Sequence, residues 1–159
     1  MKLFDTLKEK IPPEKLFKLI RFWPPYLGAG IKVTNVSPDI LKLEVEMDLT
    51  WYNRNFVGTH FGGSLFAMTD PFYMLMLIKN LGSQYIIWDK SAKIEFIKPA
   101  RGKVKAHFEF TKDEIDEIKY NCDNKKKHIF TKEIFIFDEV GELITKVEKT
   151  LYVKKSNSL

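Results

Sequence analysis

The sequence predicts an α+β domain in which a curved antiparallel sheet of five or six strands wraps around one long apolar helix, with further helices at the N-terminus. Segments with apolar residues at every second position recur from residue 31 onward. The run from Gly62 to Ile78 is apolar on nearly every side, which marks a buried helix. A sheet that is apolar on one face must cover something, and curling around that helix satisfies both elements. The chain of 159 residues, 45% of them hydrophobic and thirteen of them Phe, is long enough for one core without disulfide or metal staples.

In chain order, the first thirty residues read as two short amphipathic helices. Leu3, Phe4, Leu7 and Ile11 share one face, and Leu16, Phe17, Leu19, Ile20 and Trp23 share the next. Pro12-Pro13 and Pro24-Pro25 mark helix starts or stops, because proline removes a backbone donor. This extension, residues 1–29, is expected to cap a sheet edge or pocket mouth rather than to anchor on a membrane, since its basic residues form no wide cationic face. The main domain, 30–155, opens with a hairpin, Ile31 to Val36 and Ile40 to Leu49. Leu41, Leu43, Val45 and Met47 face in, and Lys42, Glu44, Glu46 and Asp48 face out. The polar loop from Trp51 to Phe61 leads directly into the apolar helix. Strands are expected at Tyr85 to Lys98, Lys103 to Thr111, Ile129 to Phe137 and Leu143 to Val153. Asp113 to Tyr120 fits either a short helix or a crossing loop, Lys125-Lys126-Lys127 a solvated turn, and 156–159 a tail.

Asp70 is the residue that asks for a reason. A carboxylate inside an apolar run is costly unless it is paired, hydrogen-bonded or neutralised by a raised pKa. Gly62 and Gly63 open the same run; without Cβ atoms they permit close approach to first-turn amides, which lack intrahelical partners and suit an anion. Together these features point to attack on a carbonyl. The competing structural role for Asp70 is to serve a backbone break caused by Pro71, which cannot donate to residue 67.

Other chemistry finds little support. Three scattered histidines and the single Cys122 offer no metal-ligand spacing, so no metal is expected. Gly28-Ala29-Gly30 precedes a strand and lacks the remainder of a phosphate loop. A net charge of +5 is mild, and no nucleic-acid module is recognisable. The N-terminus carries Asp5, Glu9 and Glu14 among its apolar residues, unlike a signal peptide, and Gly62–Ile78 is short for a membrane span and contains Asp70 and Pro71. A cytoplasmic protein without membrane insertion is expected.

Asn55, the Gly58-Thr59-His60 turn, Phe61-Gly62-Gly63 and Asp70 resemble the Asn, His-Gly-Gly and Asp pattern of the phenylacetyl-CoA-type thioesterases of the hot-dog fold. Lys98-Pro99-Ala100 is similar to that group as well. Gly62 to Phe72 and Trp88 to Ala92 resemble an uncharacterised hot-dog family still more closely. The resemblance implies an acyl-CoA or acyl-carrier thioesterase, with coenzyme A entering as part of the substrate and no cofactor. It implies Asp70 as general base or nucleophile, the Gly62 amide, with Gly63 beside it, as oxyanion site, and Asn55 orienting water or substrate. Asp89 or Ser91 would be the polar residue of the following strand, with His60 and Phe61 beside the substrate. One departure stands out: Phe61 occupies the usual His position, and His60 lies one place earlier. In a continuous helix Asp70 would lie roughly 11 Å along the axis from the glycines. In the families resembled, paired helices bring one subunit's aspartate to the other's glycine, so a homodimer, or a dimer of dimers, is expected.

Phe61, Phe66, Phe72, Tyr73 and Met76 suggest a lining for a medium, long or aromatic acyl group. Lys90, Lys98 and Arg101 are candidates for coenzyme A phosphates, against plain surface solvation. A non-catalytic acyl binder or sensor is the alternative, favoured by Phe61. A hot-dog dehydratase using His60 is disfavoured, because Met74 stands where the resemblance places an acidic partner.

Overall fold

The computed structural model describes residues 12–156, so the helix face expected around Leu3 to Ile11 lies outside the described residues. The chain begins with α1 (Pro13–Leu19), a 3-10 turn (Ile20–Phe22) and α2 (Pro24–Ala29). Each helix starts on a proline, where the missing N–H costs nothing. Gly30 closes α2 in the left-handed region, φ 77°, with its N–H bonded to the Tyr26 carbonyl at 2.8 Å.

Six strands follow: β1 (Ile31–Val36), β2 (Lys42–Met47), β3 (Tyr85–Phe96), β4 (Val104–Glu109), β5 (Lys127–Asp138) and β6 (Leu143–Lys155). They form one antiparallel sheet in the order β1-β2-β4-β5-β6-β3. The period-two reading of the hairpin holds: Leu43, Val45 and Met47 are buried, and they continue across the sheet into Phe108, Ala106 and Val104 of β4. α1 and the 3-10 turn of the extension lie against β1, an edge strand of the sheet.

The expected helix from Gly62 to Ile78 is two helices, α3 (Gly62–Ala67) and α4 (Phe72–Leu81). Pro71 has no N–H for the residue 67 carbonyl and its ring crowds that turn. The Ala67 carbonyl instead accepts the Asp70 N–H at 3.2 Å, and α4 restarts with the Leu75 N–H on the Pro71 carbonyl at 3.0 Å. The Asp70-Pro71 peptide is cis. The apolar pattern continued through the break because both helices bury residues against the same sheet. α4 sets Phe72, Tyr73, Met76 and Leu77 into the core, with Phe72 and Tyr73 each 5.2 Å from the Phe108 ring between centroids.

The segment left open between helix and loop is α5 (Lys112–Lys125). Thr111 Oγ1 accepts the Glu114 N–H at 3.1 Å and Glu114 Oε2 accepts the Thr111 N–H at 2.8 Å, a complete capping box. Ile115, Ile118 and Cys122 are buried on its inner side, where it packs over β5 and β6. Among the described residues no helix is long and apolar enough to cross a membrane.

Candidate functional site

Asp70 sits in the break between α3 and α4. Its main chain is held from the N-terminal extension, where the Tyr26 hydroxyl donates to the Asp70 carbonyl. Its side chain is half exposed rather than sealed in the core, and it is paired. Lys149 Nζ donates to Asp70 Oδ1 at 2.6 Å and to Asp89 Oδ2 at 3.1 Å. The Lys149 side chain is only 3% exposed, against 51% for Asp70 and 18% for Asp89. A buried ammonium is tolerable only with such partners. The Phe66 ring, 5.8 Å from Nζ, adds a cation–π contact.

Local sequence explains how the three side chains converge. On β6, Val147, Lys149, Leu151 and Val153 are buried, with partly exposed residues between them, so Lys149 occupies an inward position among aliphatic neighbours. On β3 a register shift between Asp89 and Ser91 sets Asp89 opposite Leu151, whose side chain also points inward. Ser91 is set opposite Thr150.

The carboxyls differ in electrostatics. Burial and the hydrogen bond it shares with Asp70 push Asp89 up to about 6, against the opposing pull of Lys149. Asp89 Oδ1 is buried and meets no donor among the described residues, which favours a proton on this carboxyl. Burial also pushes Asp70 up, but hydrogen bonds from Asp89 and Lys149 outweigh it and hold Asp70 below the usual carboxylate range. The cost of a charge at Asp70 is therefore met by pairing rather than by a raised pKa.

A cavity of about 300 Å³ collects Gly63, Phe66, Ala67, Asp70, Asp89, Lys90, Ser91, Ala92 and Lys149. A second, of about 290 Å³, collects Asn55, Thr59, His60, Gly62, Leu65 and the Phe96–Ala100 stretch. The adjacent glycines thus face different cavities, and within one chain Asn55, His60 and Gly62 do not meet Asp70. Asn55 is occupied in its own loop, accepting the Val57 and Thr59 N–H groups and donating to Thr59 Oγ1 and the His60 carbonyl. His60 is buried, and its Nε2–H donates to the Gly102 carbonyl at 2.7 Å, the tautomer an acceptor carbonyl requires. Burial holds its imidazole below the ordinary value. Phe61 is exposed, with its ring over Gly63 so closely that no Cβ fits there unless the ring moves. Arg101 borders neither cavity and approaches the Gly58 turn, while Lys98 lines the second cavity and pairs with Glu142 at 2.7 Å.

Of the five apolar residues expected to line an acyl pocket, only Phe66 lines the cavity. Phe72, Tyr73 and Met76 are core, because α4 turns them onto the sheet. Lys149 is the residue that sequence reasoning missed. Its signal was a lysine in phase with the inward aliphatic residues of β6.

The sequence matches, over residues 14–153, the family described as Domain of unknown function (DUF4442), and the chain belongs to that family. No curated protein matches it. Among solved structures it is similar to a Pseudomonas aeruginosa protein described as of unknown function and a probable thioesterase, with a TM-score of 0.81, 16% identity, and coverage of 89% of this chain and 95% of that one. It is also similar to a thioesterase from Haemophilus influenzae, with a TM-score of 0.66, 16% identity and coverage of 94% and 95%. A mutant thioesterase from Pseudomonas aeruginosa gives 0.64, 13% identity, and 92% and 96%. At these identities the likeness shows the fold, which is the hot-dog fold.

Proposed function

We propose that this protein hydrolyses an acyl-CoA or acyl-carrier thioester and works as a homodimer with its sites at the subunit interface. The observation that carries this is the Asp70 carboxyl, bonded by Lys149 and set in the break after α3 in a cavity walled by Gly63. Asp70 takes a proton from water as the water oxygen attacks the thioester carbon. The Gly62 N–H brought by the other subunit, in the first turn of α3 where no intrahelical carbonyl reaches it, steadies the oxyanion. The C–S bond then breaks, and the thiolate leaves with little help. Steady-state hydrolysis of a panel of acyl-CoAs tests this; no turnover of any member would overturn it.

Support for the dimer comes from the separation of Asp70 from Gly62, Asn55 and His60 on opposite sides of α3, and from surfaces left bare in one chain. β3 is a twelve-residue edge strand, and Phe61, Phe66, Ile78 and Trp88 are exposed. A two-fold partner would bring the second cavity of one chain to Asp70 of the other. Gly62→Pro deletes one oxyanion donor at a first helical position, with the Phe96 ring yielding by a few tenths of an ångström to the new Cβ. Mixing it, with subunit exchange, with Asp70→Ala should restore about a quarter of wild-type activity, from mixed dimers with one intact site. Absence of rescue would place each site within one subunit.

A medium, long or aromatic acyl group is the substrate proposed, because Phe66 of one cavity and Leu65, Phe96 and Ile97 of the other would then line one site. Each buried methylene contributes roughly 0.8 kcal/mol, so four further carbons should raise kcat/KM about a hundredfold. Equal values for acetyl-CoA and octanoyl-CoA would remove the apolar lining. The Phe61 ring over Gly63 favours a second reading, a non-catalytic acyl binder, which tight binding without turnover would select.

A further inference from the structure

Lys149 lies 79 residues from Asp70 in sequence, yet it is the most deeply buried charged side chain of the site. Two carboxyls placed together repel and would drive each other apart or neutralise. A buried ammonium bonded to both prevents this, and it leaves the pair a common place for a proton.

We infer that Lys149 is a positioning residue that clamps Asp70 and Asp89 into a single proton-accepting unit, a role that rests on the thioesterase reading. Asp70, bound directly to Lys149, is by itself a weak base. A proton taken from the attacking water by Asp70 is stabilised by Asp89, which the same Lys149 ammonium holds beside it. The accepting strength then belongs to the pair and not to either residue. No atom is transferred beyond that proton: it leaves water as the new C–O bond forms, and it returns to solvent after product release.

The charged and titratable groups facing the unit come from several elements. Lys149 comes from β6, Asp89 and Lys90 from β3, Asp70 from the helix break, and Tyr26 from α2. Lys132 of β5 stands directly opposite Lys149 in the register, but Glu114 holds it at 2.7 Å and draws it toward the Tyr73 and Phe110 rings. Lys149 is thus the one of these cations hydrogen-bonded to the carboxyl pair.

The test is a carboxyl carbon NMR titration of the full chain labelled at aspartate, with pH profiles of kcat/KM measured in parallel. The wild type should show a carboxyl step near pH 6, seen at both Asp89 and Asp70, and an acid limb of activity with the same midpoint. In Lys149→Met both carboxyl steps should move up, and kcat/KM at pH 6 should fall about tenfold or more, with a smaller loss at high pH. Asp89→Asn keeps the side-chain shape and leaves Lys149 in place, so it reports even if Lys149→Met does not fold; it should abolish the neutral-range step and lower kcat with KM little changed. A wild type without a shared step near 6, a step unmoved in Lys149→Met, or an Asp89→Asn enzyme with the parent pH profile would each reduce Lys149 to a structural ion pair. A shared step that responds to Lys149 in a protein that hydrolyses no thioester would leave the unit standing and defeat the thioesterase assignment alone.

Discussion

Asp70→Asn is expected to lower kcat by about 100-fold to 10,000-fold, the usual loss on removing a general base, while acyl-CoA still binds. The amide keeps the shape of the carboxylate, and the site is half exposed, so no void opens. Lys149 keeps Asp89 at 3.1 Å as an anionic partner. The measurement is kcat from single-turnover hydrolysis beside a direct binding titration of the intact substrate. A variant that turns over at the parent rate would make Asp70 a counter-ion for Lys149 and nothing more. Loss of binding together with turnover would make it part of the substrate cradle rather than a base.

The second large effect is on stability. Phe72 is completely buried at the first position of α4, with its ring 5.7 Å from Tyr26 and 5.2 Å from Phe108 between centroids. Phe72→Ala should cost about 3–5 kcal/mol, combining lost transfer energy with an unfilled cavity. Chemical denaturation at one fixed protein concentration measures this, since a dimer's midpoint depends on concentration. The activity of the folded fraction should fall too, because Tyr26 packs on Phe72 and donates to the Asp70 carbonyl. Val140→Ala, at an exposed turn, should change stability by less than about 0.5 kcal/mol. A Phe72→Ala loss no larger than that would mean that the Tyr26–Phe72–Phe108 cluster does not hold the break in place.

The strands were legible in the sequence because one sheet face meets water and the other meets α4, and that difference writes a period of two into β2, β4 and β6. The capping box was written there too, as Thr111 followed by Glu114, yet the charged surface of α5 masked its three-residue and four-residue apolar spacing. The break at Pro71 was a local signal overridden by a continuous apolar pattern: α3 and α4 bury residues on the same sheet, so hydrophobicity does not fall where the backbone turns. Pro71 was the local mark of that interruption.

What the sequence by itself determined was therefore an antiparallel sheet curved around an apolar helical segment, the carboxylate before Pro71 and the glycines that open that segment. All of these follow from local periodicity and backbone chemistry. Only the tertiary structure decided that Lys149 bonds both Asp70 and Asp89, and that Asn55 and His60 open onto a different cavity. Those outcomes depend on which side chains from β3, β6 and α2 arrive within hydrogen-bond reach, and on how much water each keeps. The energy of a charge is set by such neighbours and by burial, neither of which is encoded at the position that carries it.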